Sequence, residues 1–141
     1  MRVVLDTNVL VSGLLAPFGP PGVIVRMVVS GAVVLCVDAR VLSEYHDVLR
    51  RPLFNFDEDA VAALMDYIEA TSDTAAAVPL AKRLPDTDDE AFLEVAIACT
   101  ARYLVTGNLD HFPEHLRVGV SVVSPREFVE LYRLTGTQGD G

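Results

Sequence analysis

The residues best suited to chemistry are carboxylates that stand beside short apolar runs. Asp6 follows Arg2-Val3-Val4-Leu5 directly, and the acidic stretch Asp86-Thr87-Asp88-Asp89-Glu90 leads into an apolar helical pattern. Asp110 comes shortly after Tyr103-Leu104-Val105-Thr106, and Glu44 lies two places after Leu42 and directly before Tyr45. Crowded carboxylates repel one another unless a cation neutralises them, and hard oxygen ligands with room for water suit Mg²⁺ or Mn²⁺. Cations held in this way activate water and steady the leaving oxygen of a phosphodiester. The predicted reaction is phosphodiester hydrolysis.

Each acid also has a plainer local use. Asp6 serves equally well as a helix cap. Glu44 reads as a solvated helix residue paired with Arg40, worth roughly 0.2–0.5 kcal/mol. Asp57, Glu58 and Asp59 suit the dipole of the helix they begin. Capping accounts for one or two of the acids between 86 and 90, but hardly for four.

The elements that must position these acids follow from apolar periodicity. Val3, Val4 and Leu5 form a β-preferring run of the kind buried on both faces of a parallel sheet. A short helical stretch from Val9 to Leu15 stops at Pro17, and Phe18 to Gly22 is loop by composition. Val23, Ile24, Met27 and Val28 recur at helical spacing, Ser30-Gly31 ends that helix, and Ala32 to Val37 reads as the next strand. Asp38 is placed to cap a helix from Ala39 to about Leu49. Further helices are expected at Asp57 to Ala70 and Ala91 to Ala101, and further strands at Tyr103 to Thr106 and Val118 to Val123. Ser124 and Pro125 begin a last helix. This alternation predicts a three-layer α/β/α fold around a central parallel sheet of about five strands. Right-handed crossovers then bring Asp6, Glu44, Asp89 and Asp110 to the carboxyl edge of the sheet. Residues 1–134 are expected to form one domain, and 135–141 a disordered tail.

Composition bounds the partners. The 141 residues carry a net charge of −9 and an isoelectric point near 4.6, which argues against a large basic footprint for nucleic acid. It accords with carboxylates gathered for cations, which then supply the local positive charge. Cys36 and Cys99 sit in apolar stretches without C-x-x-C spacing, so a reducing, cytoplasmic setting is the default expectation. The uncharged run Met27 to Val37 is far short of the roughly 20 residues of a membrane span, and no membrane partner is expected. His111 and His115 are spaced for one helix face, but Pro113 lies between them and no cysteine is near, so no zinc site is read. There is no glycine-rich phosphate loop to suggest a nucleotide cofactor.

Four motifs in order resemble those of the PIN-domain ribonucleases over essentially the whole chain. They are Val-Val-Leu-Asp6-Thr7-Asn8-Val-Leu, the Ser-Glu-Tyr-x-x-Val-Leu-x-Arg-Pro stretch from Ser43 to Pro52, the acidic stretch from Asp86 to Glu94, and Leu104-Val105-Thr106-Gly107-Asn108. The chain is most similar to the bacterial members described as toxins of toxin–antitoxin pairs. The resemblance implies a Mg²⁺- or Mn²⁺-dependent endoribonuclease that acts on RNA, is inhibited by an antitoxin protein and forms a homodimer. Its first acid falls on Asp6, its second on Glu44 and its third within Asp88-Asp89-Glu90. Asp89 is chosen because Phe92 and Ala96 then face the core, with Asp86, Asp88 and Glu90 as the alternatives. The fourth position departs from the fullest pattern: Asn108 stands there, and Asp110, two residues on, is expected to take the role. On this reading Asp6, Asp89 and Asp110 hold the metal, while Glu44 ligates it or orients the attacking water. Thr7, Asn8, Thr106 and Asn108 support the carboxylates from behind. Arg50, Arg51 and Arg83 are the candidate RNA contacts. The rival reading is a non-catalytic module of the same fold that binds RNA or a partner protein.

Overall fold

The apolar run at the N-terminus forms β1 (Arg2–Leu5), and its Val3, Val4 and Leu5 are fully buried. In the computed structural model, which describes residues 1–137, this strand lies at the centre of a five-stranded sheet. The chain continues through α1 (Thr7–Leu15) and α2 (Pro20–Val29) to β2 (Val34–Val37), then through α3 (Ala39–Leu49) and α4 (Glu58–Thr71) to β3 (Asp73–Thr74). A 3₁₀ turn at Thr87–Asp89 leads into α5 (Glu90–Cys99), followed by β4 (Tyr103–Val105), β5 (Val122–Val123) and α6 (Pro125–Thr137).

The strand order is β3-β2-β1-β4-β5 and every pair is parallel. Val3 stands between Leu35 and Tyr103, and Leu5 pairs with Val105. The chain builds the sheet outward from β1 in one direction and then crosses back to start again at β4. The junction of β1 and β4 is therefore the topological switch point, the place where open α/β sheets bind ligands. Helix α5 packs over β1, β2 and β4, whereas α1, α2 and α6 pack together and α3 lies against α1 and α4. The result is the three-layer α/β/α arrangement.

Several boundaries differ from the sequence expectation for identifiable reasons. The strand expected at Ala32 begins at Val34, because the amides of Ala32 and Val33 both donate to Met27 O and are used in closing α2. The strand expected from Val118 shrinks to Val122–Val123, since Val118 and Gly119 turn the chain with φ of 54° and 80°. Helix α5 starts at Glu90 and stops at Cys99, ended by Thr100 in the left-handed conformation. Strand β3 has no expected counterpart: it is two exposed polar residues, paired with Cys36 and Val37 at the sheet edge. Short polar edge strands of this kind carry no apolar alternation to read. Helix α6 runs to Thr137, past the expected domain boundary at 134, and the rest of the expected tail, 138–141, lies outside the described residues. It starts at Ser124-Pro125 as expected, and the structure adds a reciprocal capping box: Glu127 N donates to Ser124 Oγ and Ser124 N to Glu127 Oε1.

No single helix among the described residues is long and apolar enough to cross a membrane. The pair α1 and α2 would be so only together, and it is bent by 102°.

One buried contact ties the sheet centre to α3. Tyr45, fully buried, donates its hydroxyl to Leu5 O at 2.6 Å, directly behind the residue that ends β1. Tyr45→Phe is expected to lower stability by about 1–2 kcal/mol, read as a shift in denaturation midpoint at unchanged slope. A shift below about 0.3 kcal/mol would show that the hydroxyl is dispensable.

Candidate active site

Asp6 occupies the N-cap position of α1, yet its side chain makes no capping hydrogen bond. It turns instead across the switch point, where Thr106 Oγ1 donates to Asp6 Oδ2 at 2.8 Å. Thr106 follows β4 and is fully buried, and its Oγ1 in turn accepts from Asn108 N at 3.0 Å. Asn8 closes the same junction by accepting from Gly107 N at 3.3 Å. Asp6 is only 6% exposed. Burial pushes its carboxyl above the ordinary range, although Thr106, the first amides of α1 and the more distant His111 all pull it down.

Glu44 reaches the start of α1 from α3. Its carboxylate accepts a short hydrogen bond from Thr7 Oγ1, so α3 is tied to the start of α1 at the site. Burial raises the Glu44 carboxyl, the Thr7 bond opposes that, and Asp6 and Asp88 add to it by repulsion. The expected pairing of Glu44 with Arg40 is not formed. Arg40 bonds Asp38 through Nε and Nη2, and Glu94 through Nη1 at 2.6 Å. Arg40 thus braces α3, the element that carries Glu44, against α5.

The acidic stretch divides its labour. Asp86 caps the 3₁₀ turn by accepting from Asp88 N, and Glu90 accepts from Leu84 N and Arg83 Nη1. Asp88 is exposed. Asp89 alone of the four is placed at the turn's end and buried, 8% exposed, with no capping bond of its own. Burial and then the charge of Asp6 push its carboxyl up to about 6, against the opposing pull of His111. Its Oδ2 is buried without a hydrogen-bond partner. His111 Nδ1 lies 3.1 Å from that oxygen, close enough for an ion pair but without hydrogen-bond alignment.

Asp110, expected as a metal ligand, is exposed on the 3₁₀ turn Leu109–His111 and makes no hydrogen bond or ion pair among the described residues. The neighbouring His111, for which the sequence suggests no zinc site, stands against Asp89. A 3₁₀ helix turns about 120° per residue, so adjacent residues face different ways. The one sequence signal for His111 was its place on the loop after β4.

The arginines separate equally clearly. Arg50 is bound to Glu58 and His46, and Arg83 to Glu90. Arg51 is exposed, its side chain forms no hydrogen bond or ion pair among the described residues, and its charge favours the ionised form of Glu44. A groove of about 220 Å³ opens beside Glu44, between α3 and the start of α5, with Arg40, Thr87 and Asp88 in its walls.

Among the described residues, no three His, Cys, Asp or Glu side chains converge tightly enough to cage a metal by themselves. The donor chemistry nevertheless fits a hydrated hard cation. Mg²⁺ keeps several waters and commonly takes only one or two carboxylates from the protein. Asp89 offers a buried, unpartnered oxygen and Asp6 a second buried carboxylate whose charge acts on it.

The raised carboxyls carry a stability consequence. An acid whose folded-state pKa lies above its unfolded value holds its proton more tightly when folded, so ionisation costs stability. For Asp89 the relevant values are about 6 against 3.8, and Asp6 and Glu44 shift in the same direction. In EDTA, the melting temperature is expected to rise as pH falls from about 7.5 to 5, and Asp89→Asn should flatten that rise. A profile that falls over this range in the wild type would contradict a crowded acidic site.

The sequence model described as PIN domain matches residues 2–110, from β1 to the turn that carries Asp110. No curated protein matches the chain.

Proposed function

The chain belongs to the PIN-domain family, whose members are generally metal-dependent nucleases, and from that premise we propose that it is an endoribonuclease using Mg²⁺ or Mn²⁺. The observation that carries this reading is the pair of buried carboxylates, Asp6 and Asp89, at the β1–β4 switch point, one of them with an unpartnered oxygen. Two like charges so buried are costly unless a cation joins them.

A bound divalent cation supplies Lewis-acid stabilisation of the charge that builds on a phosphodiester and activates water for attack. Asp6 and Asp89 would hold it, with Thr106 fixing the orientation of Asp6. Glu44, steadied by Thr7, would orient the attacking water and accept its proton, a role supported by the burial that makes its carboxylate more basic than an exposed one. Arg51 is free to meet a phosphate of the RNA strand, which an otherwise acidic protein needs near its site.

Similarity of the stretches Ser43 to Pro52 and Asp86 to Glu94 to bacterial toxins supports the further reading that this is the toxin of a toxin–antitoxin pair. An antitoxin arginine entering among Glu44, Asp88 and Asp89 would neutralise the site. A homodimer and a cytoplasmic setting belong to the same reading.

The test is incubation of the purified protein with mixed-sequence single-stranded RNA in EDTA, Mg²⁺ or Mn²⁺. Cleavage in metal and none in EDTA is expected. RNA binding without cleavage in any cation would favour the non-catalytic module, a reading to which the exposed position of Asp110 and the presence of Asn108 already lend an observation.

A further inference from the structure

The contact between Asp89 and His111 is unlike an ordinary ion pair. The two atoms, Nδ1 and Oδ2, are 3.1 Å apart, yet the ring N–H is poorly aligned on the oxygen, and Oδ2 is buried without a well-formed hydrogen bond. A buried carboxylate oxygen left unpaired is rare in folded proteins and calls for a cause such as a missing ion. Two neighbouring ligands on an octahedron with bonds of about 2.1 Å lie about 3.0 Å apart. The separation observed between these atoms is therefore that of adjoining ligands, and their misalignment as donor and acceptor is what two converging lone pairs produce.

The surroundings agree. Asp89 is almost fully buried, so its oxygen is fixed by α5, whereas the His111 side chain is 46% exposed and open to an arriving hydrated ion. His111 lies against Asp89, and its charge also favours the ionised form of Asp6. On the loop after β4, Asn108 carries an amide, and Asp110 is exposed with no hydrogen bond or ion pair among the described residues.

We propose that His111 Nδ1 and Asp89 Oδ2 are adjoining ligands of the divalent cation, making this a mixed nitrogen and oxygen site that takes Mn²⁺ in preference to Mg²⁺. The inference rests on the cation-dependent reading above and adds the identity of the ion and of the ligand from the β4 side. Imidazole is a borderline donor that Mg²⁺ accepts poorly, while transition-metal ions take it readily.

The experiment is calorimetric titration of the full chain with MnCl₂ and with MgCl₂, for wild type, His111→Ala and His111→Asp, together with pulsed electron paramagnetic resonance of the Mn²⁺-loaded proteins. Wild type is expected to bind Mn²⁺ more tightly than Mg²⁺ and to show ¹⁴N coupling from an imidazole. His111→Ala should lose the coupling and weaken Mn²⁺ by roughly 10–100-fold, with a smaller effect on Mg²⁺. His111→Asp, which returns an oxygen donor, should bind Mg²⁺ at least as well as wild type and show no coupling. Absence of ¹⁴N coupling in wild type, or an unchanged ratio of Mn²⁺ to Mg²⁺ affinity in His111→Ala, overturns the role of His111 while leaving the nuclease reading intact. Failure of wild type to bind either ion overturns both.

Discussion

Asp6→Asn is expected to lower metal-dependent RNA cleavage by roughly 10²–10³-fold or more, the loss typical of removing one group that stabilises developing charge. The same substitution should raise the melting temperature of the metal-free protein. Asp6 is buried and its carboxyl is raised, so its ionised form works against folding, and Asp89 feels its charge. The amide oxygen of asparagine can still accept from Thr106 Oγ1, so the link across β1 and β4 survives. In a domain of this size each 1 kcal/mol moves the melting point by roughly 4 °C, and a rise of a few degrees in EDTA is the expected reading. Added Mn²⁺ should stabilise the wild type more than the mutant, because the ion binds only the folded site and the mutant has lost one of its two buried acids. A mutant that melts lower than wild type in EDTA would mean that Asp6 is a structural residue and not one of a repelling pair.

The second large effect falls on a residue outside the chemistry. Glu94 is 7% exposed on α5, accepts from Arg40 Nη1 at 2.6 Å and from Leu80 N at 3.0 Å, and so joins α3, α5 and the segment before the acidic turn. Glu94→Ala leaves the Leu80 amide without its partner and opens space within the helix layer. The expected loss is about 2–3 kcal/mol, measured by chemical denaturation; Arg40 is about half exposed, so water screens its side of the pair and keeps the figure below that of a fully buried one. Cleavage measured well below the melting temperature should fall far less than in Asp6→Asn, because α3 still carries Glu44. A loss under about 0.5 kcal/mol would show that this junction contributes little.

Glu94 illustrates what a linear reading misses. It sits in Phe92-Leu93-Glu94-Val95, where the apolar neighbours mark a buried helix, but nothing local says that the acid is buried with them. Its partners are 54 and 14 residues away in the chain. Glu44 is similar: the local pairing with Arg40 was the simpler expectation, and the bond actually formed is to Thr7, 37 residues back. By contrast, Asp38 caps α3 and Ser124 begins α6 as expected, because the capping partners lie within one turn.

The sequence by itself determined the elements and their order. Apolar runs of strand length, helical stripes, caps and glycine or proline stops act over a few residues, and they suffice for a parallel α/β fold with Asp6 at the carboxyl end of its first strand. Only the tertiary structure decided which side chains meet at that edge. Thr106 meets Asp6 across 100 residues because β1 and β4 are neighbours at the switch point, a fact of strand order and not of pattern. His111 meets Asp89 and Asp110 is left exposed because the turn after β4 has one rotational phase, set by packing of the loop. Asp89 is buried and Asp88 exposed for the same reason at the start of α5. Local energetics fix where a helix or turn begins; its rotation about its own axis is fixed by what it packs against, and that rotation chooses the residues of the site.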